Sequence, residues 1–251
     1  VCWKKFVGGA ISIGSGLLLG REGPSIQLGS SVGQGVAETL KVNRVQKNVF
    51  ISSGAGAGLA AAFNAPIAGL MFVLEEVHHT FSPLVAVTTL TAAIVANFIS
   101  LNVFGTHPSL NLGNDQRFPM EYYGYVVLLG IVLAIFGLAY HRLTLALPKI
   151  YKKLFPKVAP YNYCLISFML IIPLGIWNPH VLGGGGEIVL ALVKENHTVQ
   201  FLVGLFVIRF VYSMISYGTG LPGGIFLPIL SLGALLGLAY AEFLIDFLGV
   251  D

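Results

Sequence analysis

Ile11 to Glu38 reads ISIGSGLLLGREGPSIQLGSSVGQGVAE, and Ile215 to Glu242 reads ISYGTGLPGGIFLPILSLGALLGLAYAE. Displaced by 204 positions and aligned without a gap, the two stretches share 12 of 28 residues. The shared positions are Ile11, Ser12, Gly14, Gly16, Leu17, Gly20, Pro24, Leu28, Gly29, Gly33, Ala37 and Glu38, matched by Ile215, Ser216, Gly218, Gly220, Leu221, Gly224, Pro228, Leu232, Gly233, Gly237, Ala241 and Glu242. Each copy is an apolar run that stops at glycines and restarts before a proline. Paired apolar segments interrupted by Gly and Pro, at corresponding places in two halves, point to the mid-membrane site of a transporter.

The composition around the repeat names the solvent. Of 251 residues, 55% are hydrophobic and 10% charged, with a mean hydropathy of +0.82, whereas a soluble domain carries about 25% charged residues. That leaves too little polar surface to cover a water-soluble globule, so the chain is read as all-α and polytopic, dissolved in lipid. A net charge of +3 is too small and scattered for nucleic acid. Cys2 and Cys164 are the only cysteines and lie beside apolar runs, which supports neither a disulfide framework nor a zinc site.

Hydropathy places helices near 6 to 19, 24 to 40, 48 to 62, 66 to 77, 83 to 104, 121 to 147, 161 to 177, 185 to 194, 199 to 217 and 226 to 248. A bilayer crossing needs about 20 residues, so 48 to 62 and 66 to 77, parted by Asn64-Ala65-Pro66, are expected to be two halves of one broken crossing. The stretch His141 to Lys157 holds Arg142, Lys149, Lys152, Lys153 and Lys157 without an acid and is expected to be a cytoplasmic loop. Counting crossings back from it puts the polar loop 105–120 outside and Glu75 to His79 inside. It also puts Lys41, Arg44 and Lys47 outside, against the positive-inside bias. Repeat one is taken as 1–104 and repeat two as 121–251 of one transmembrane domain. The start at Val1, next to an apolar run, is read as that of an internal piece of a longer chain.

Each repeat has a helix start where chemistry is expected: Gly20-Arg21-Glu22-Gly23-Pro24 and Gly224-Ile225-Phe226-Leu227-Pro228. Proline in a first helical turn loses no needed N–H. The N–H groups and partial positive charge of such an end suit an anion, and partial charges hold it weakly enough to let it leave. Glu22 is itself an anion in that first turn, able to compete with a permeant anion when charged and to swing away when protonated; capping alone is the plainer role. Glu75 and Glu76 end an apolar helix and are candidates for proton relay, or for an interfacial pair at a helix end. His78 and His79 are candidates to assist proton entry, with solvated loop residues the favoured reading. Arg209, inside a helical run, is expected to pair with an acid or with carbonyls, in a structural role. The run Gly183 to Gly186 lacks the Lys-Ser/Thr of a phosphate loop and is read as a flexible approach to a short helix. His-Glu-x-x-His and Cys-x-x-Cys are absent, so no enzyme is expected and no cofactor is called for.

The run Gly20 to Pro24, the stretch GAGAGLAAAFNAPIAGLMFVLEE from Gly54 to Glu76, and LPGGIFLP from Leu221 to Pro228 together resemble three signature regions of the ClC family of chloride channels and proton-coupled chloride transporters, in its order and spacing. The resemblance implies an all-helical fold of two inverted repeats with broken helices, usually a homodimer with one anion pathway per subunit. It implies that Glu22 is the gating glutamate and Glu76 the internal proton-transfer glutamate. It also implies that the backbone around Ile225 and Phe226, with the turn of Gly20, Arg21 and Gly23, coordinates the anion. Channel members commonly carry an apolar residue at the inner glutamate, so Glu76 favours antiport. The family's serine motif is expected before Val1 and its pore tyrosine after Asp251, which leaves anion selectivity and any C-terminal regulatory domain open. The expected function is exchange of chloride for protons across a cell (inner) membrane. A passive gated chloride channel, or a relative that prefers another anion, is the alternative.

Overall fold

The computed structural model describes residues 2–105, 119–192 and 197–249. Among these the chain is helical, without a β-strand. The helices are α1 (Cys2–Gly14), α2 (Glu22–Thr39), α3 (Arg44–Phe63), α4 (Pro66–Phe72) continued by a π-helix (Val73–His78), α5 (Pro83–Phe104), α6 (Tyr123–Leu154), α7 (Cys164–Trp177), α8 (Gly186–Leu192), α9 (Val199–Gly218) and α10 (Phe226–Leu248). Among the described residues five stretches are long and apolar enough to cross a membrane: Pro83–Phe104, Met120–Leu154, Pro160–Trp177, Val199–Gly218 and Phe226–Phe247. The loop expected at 105–120 lies, apart from its ends, outside the described residues.

The repeat is written into the local backbone. With the same displacement of 204, α1 ends at Gly14 and α9 at Gly218, while α2 begins at Glu22 and α10 at Phe226. Gly16 and Gly220 both take positive φ, 96° and 72°, where a side chain would clash with its own backbone. Gly16 N–H donates to Ile13 O at 3.1 Å, and Gly220 N–H to Tyr217 O at 3.2 Å. The hydroxyls repeat as well: Ser15 Oγ donates to Ser12 O, and Thr219 Oγ1 to Ser216 O, at 3.0 and 2.7 Å. These bonds take up carbonyls that the last turn of a helix leaves over.

The chain divides into two compact units, one of Val1–Ile11, Arg21–Ser109 and Pro222–Gly224, the other of Ser12–Gly20, Leu110–Leu221 and Ile225–Asp251. In the first, α2 and α3 lie backbone to backbone. A Cβ added at Gly29 would fall on the Gly54 carbonyl, one at Gly33 on that of Phe50, and one at Gly58 on that of Ser25. The partners rise on one helix as they fall on the other, so the pair is antiparallel with small residues four apart along the seam, a pattern that lets membrane helices approach closely. Asn43 starts α3 four residues ahead of the expected boundary, its side chain accepting the Gln46 N–H in a reciprocal capping box.

The segments on either side of Asn64 are not two halves of one crossing. Asn64 ends α3 in the left-handed region at φ 56°, a conformation that Asn tolerates better than most residues, and α4 then returns along α3. A Cβ at Gly56 would lie 2.7 Å from Gly69 O and 2.9 Å from Val73 Cγ2, and His78 Nε2 lies 3.0 Å from Ser52 Oγ. In this helical hairpin the start of α3, with Arg44 and Lys47, lies toward the same end as Glu75 to His79. The conflict with the positive-inside bias came from counting a crossing that the chain does not make.

In the second unit, α6 runs on to Leu154, so most of the basic stretch expected as a loop is helix, with Pro148 inside it. That extension carries Tyr151, whose hydroxyl donates to Ile215 O at 2.7 Å and whose ring covers Gly218 closely enough to exclude a Cβ there. The core forms around Leu17, Leu18, Leu19, Leu202, Leu205 and Leu235, all essentially inaccessible, and Tyr140 and Ser213 share a buried hydroxyl bond of 2.8 Å.

The contact of α2 with α3 separates two glycines of one helix pair. Gly54→Ala is expected to lower stability by about 1–3 kcal/mol through overpacking. Gly35→Ala, where a Cβ would meet nothing within 4 Å, is expected to raise it by about 0.5–1 kcal/mol through helix propensity. Thermal unfolding in detergent of the two variants checks both signs.

Candidate functional site: a buried carboxylate at a helix start

Glu22 is the first residue of α2 and is 5% exposed. The turn that delivers it begins at the buried Gly20 and passes through Arg21, whose φ of -79° and ψ of -17° are already helical. Pro24 has no N–H, and the first intrahelical bond at the turn is Ser25 N–H to Arg21 O at 3.1 Å. A carboxylate here meets the positive end of the helix.

The side chain of Glu22 lies against Gly224. A Cβ on Gly224 would stand 2.5 Å from Glu22 Oε1 and 2.7 Å from its Cδ. A Cβ on Gly23 would stand 3.2 Å from both Cα and N of Gly224. The first unit therefore brings Glu22, Gly23 and Gly224 into one place, and only glycine at 224 leaves room for the carboxylate. Glycine at 224 was legible as a repeat position but not as the neighbour of Glu22, because nothing in sequence spacing connects residues so far apart.

Arg21, next in the chain, is exposed and lines an open cavity of about 730 Å³ with Ser25, Gly58, Asn64 and Ser100. In the second unit, Ile225 precedes α10 and is half-buried, and Phe226, the first residue of the helix, is 54% exposed. As in α2, the proline of the first turn is followed by the first intrahelical bond, Ile229 N–H to Ile225 O at 3.0 Å.

Glu75 and Glu76 lie in the first turn of the π-helix and are exposed. A π-turn inside an α-helical run is rare and gathers at functional sites. His78 closes it and is not a solvated loop residue: it is half-buried and bonded to the hydroxyl of Ser52, itself 3% exposed. His79 follows, exposed, at φ 54°. The hairpin that brings His78 back to Ser52 is what the sequence did not disclose. Among the described residues no cluster of His, Cys, Asp and Glu is placed to hold a metal ion.

Short interrupted helices, a repeated helix start and five stretches apolar enough to span, among the described residues, define a polytopic membrane protein. The profile of the voltage gated chloride channel family matches residues 1–250, and the chain belongs to that family. The H(+)/Cl(-) exchange transporter ClcA of Vibrio vulnificus is 34% identical over 243 residues, which are 94% of this chain and 52% of that protein. The ClcA of Vibrio parahaemolyticus is 33% identical over 256 residues, 98% of this chain and 55% of that one. The chain thus spans about half the length of the curated relatives it matches. Among solved structures, a slow cyanobacterial Cl-/H+ antiporter matches with a TM-score of 0.85 at 30% identity, over 99% of this chain and 59% of that one. A CLC-type fluoride/proton antiporter matches with a TM-score of 0.78 at 22% identity, over 98% and 61%, a likeness of fold.

Gly224→Ala is expected to push the Glu22 carboxylate out of its place. Carbodiimide labelling of Glu22, followed by mass spectrometry, should be faster in that variant than in the parent and unchanged in Gly35→Ala.

Proposed function

We propose that this chain carries the ion-handling core of a secondary transporter that exchanges chloride for protons across a cell (inner) membrane, with Glu22 as the anion-mimicking gate. The observation that carries the reading is the burial of that carboxylate, 5% exposed, in the first turn of a helix. At that helix start the carboxylate stands where the positive end of the helix would draw a permeant anion. In this reading its charged form holds the place of a permeant anion and its protonated form gives it up. One residue then couples a proton to an anion.

Each helix start is an anion station in this reading: the turn of Gly20, Arg21 and Gly23 at α2, and Ile225 and Phe226 at α10. Binding by backbone dipoles rather than by a buried cation keeps the ion exchangeable. Glu76 is the inner proton acceptor, and its exposure on the π-helix supports exchange with water. The names of the ClcA relatives as H(+)/Cl(-) exchange transporters support antiport over a passive channel. The working unit of this reading is a homodimer in lipid.

The test uses the full-length protein in proteoliposomes, recording chloride efflux and external pH together under a chloride gradient. Uphill proton movement is expected; chloride leak without protons would make the protein a channel. Glu22→Gln, fixed in the neutral form, should abolish proton movement while anion flux persists. Glu76→Ala should also reduce proton flux to the level of protein-free vesicles and leave chloride binding intact, and normal proton flux in that variant would remove Glu76 from the mechanism.

A further inference from the structure

Arg209 lies within α9 and is completely buried. A charged group inside a membrane-spanning helix is costly and points to a function by default. Among the described residues the one ion pair joins Lys47 to Glu38, so no acid answers this guanidinium. Carbonyls and a hydroxyl do. Nη1 donates to His180 O at 2.5 Å and more weakly to Leu182 O at 3.5 Å, while Nη2 donates to Gly183 O at 3.3 Å and to Ser231 Oγ at 3.1 Å.

Those acceptors belong to two different places in the second unit. Ser231 is in the opening turns of α10, where its own hydroxyl donates to Pro228 O at 2.9 Å. Gly183 belongs to the glycine run, and its N–H donates to Gly16 O at 2.9 Å, in the break between α1 and α2. The run passes so close that a Cβ at Gly185 would stand 2.6 Å from Arg209 Nη2 and nearer still to Ser231 Cβ. Gly183 and Gly185 also hold positive φ, 73° and 99°. The four-glycine run is therefore a fitted loop rather than a flexible approach. One planar fork ties it to the start of α10 and, through Gly183, to the segment that leads into Gly20.

We propose that Arg209 is a positioning residue for anion binding: it fixes the start of α10 and the break before Gly20 without itself meeting the ion. The inference rests on the reading of the helix starts as anion stations. Arginine is suited to this because its rigid fork reaches several acceptors at once, which a lysine ammonium on a flexible stem does not. The acceptors that hold it leave the helix start to act through its own N–H groups.

The experiment measures chloride affinity by isothermal titration calorimetry, and thermal unfolding in parallel, on the full-length protein and three variants. Arg209→Lys keeps the charge and loses the fork. Arg209→Gln loses both. Ser231→Ala removes one acceptor and leaves the arginine. Roughly tenfold weaker chloride binding is expected in Arg209→Lys and Arg209→Gln, with a smaller loss in Ser231→Ala, all in folded protein. Affinity that follows charge alone, unchanged in Arg209→Lys and Ser231→Ala but reduced in Arg209→Gln, would overturn the proposal. So would lowered unfolding temperatures with unchanged affinity, which is the mark of a merely structural group. If the Arg209 variants do not fold, Ser231→Ala decides by the same criterion. A parent protein that binds no chloride would remove the anion stations themselves, whereas a parent that binds it equally with all folded variants would remove only this role for Arg209.

Discussion

A helix that stops inside a bilayer leaves its last carbonyls and the next helix's first amides without intrahelical partners, and lipid supplies none. Everything distinctive in this chain is an answer to that constraint. At the ends of α1 and α9 the answer is the same set of short backbone and hydroxyl bonds, made by residues 204 apart. At α9 it is extended by Tyr151, which reaches over from α6 to take the Ile215 carbonyl. At the other side of each break the amides of a new helix remain as a source of positive potential, and in α2 a carboxylate is stationed beside them. In the proposed function these two helix starts are where an anion would be held.

Close backbone approach is the second means. Glycines at 29, 33, 54 and 58 let α2 and α3 lie carbonyl against glycine, so the helix bearing Glu22 is seated against a neighbour over its length. Dispersion between backbones in contact does the work that the hydrophobic effect cannot do in lipid. The repeat does not copy this feature. Gly237, the counterpart of Gly33, has nothing among the described residues within 4 Å of where its Cβ would be, so the close approach that Gly33 makes in one copy is not made by Gly237 in the other.

Much of this was legible beforehand because it is local. The local recurrence at the displacement of 204, the start of α10 at Phe226 and the termini of α5 and α10 follow from hydropathy, proline and glycine, and the structure agrees with them, while α2 begins at Glu22, two residues ahead of the expected 24. What was not legible is what depends on the direction of a chain after a turn. Asn64-Ala65-Pro66 announces an interruption but not whether the next helix continues or returns, so the sequence alone reads as a broken crossing with a solvated His78 where the structure has the α3–α4 hairpin. The basic stretch after His141 marks an end of the membrane, but its charges sit equally well on helix as on loop, and α6 continues through it. Gly224 beside Glu22 and Arg209 beneath the glycine run are contacts between distant parts of the sequence, and no spacing rule reaches them.

The π-helix from Val73 to His78 also bears on how its two acids are told apart. A wide turn fits one more residue into the span of an ordinary turn, so every side chain beyond it is rotated about the axis relative to the ones before. Glu75 and Glu76, both exposed, lie inside the wide turn, so the directions they take are set by where that turn lies along the helix rather than by a choice of rotamer. The same displaced register brings His78, at the end of the wide turn, to the hydroxyl of Ser52.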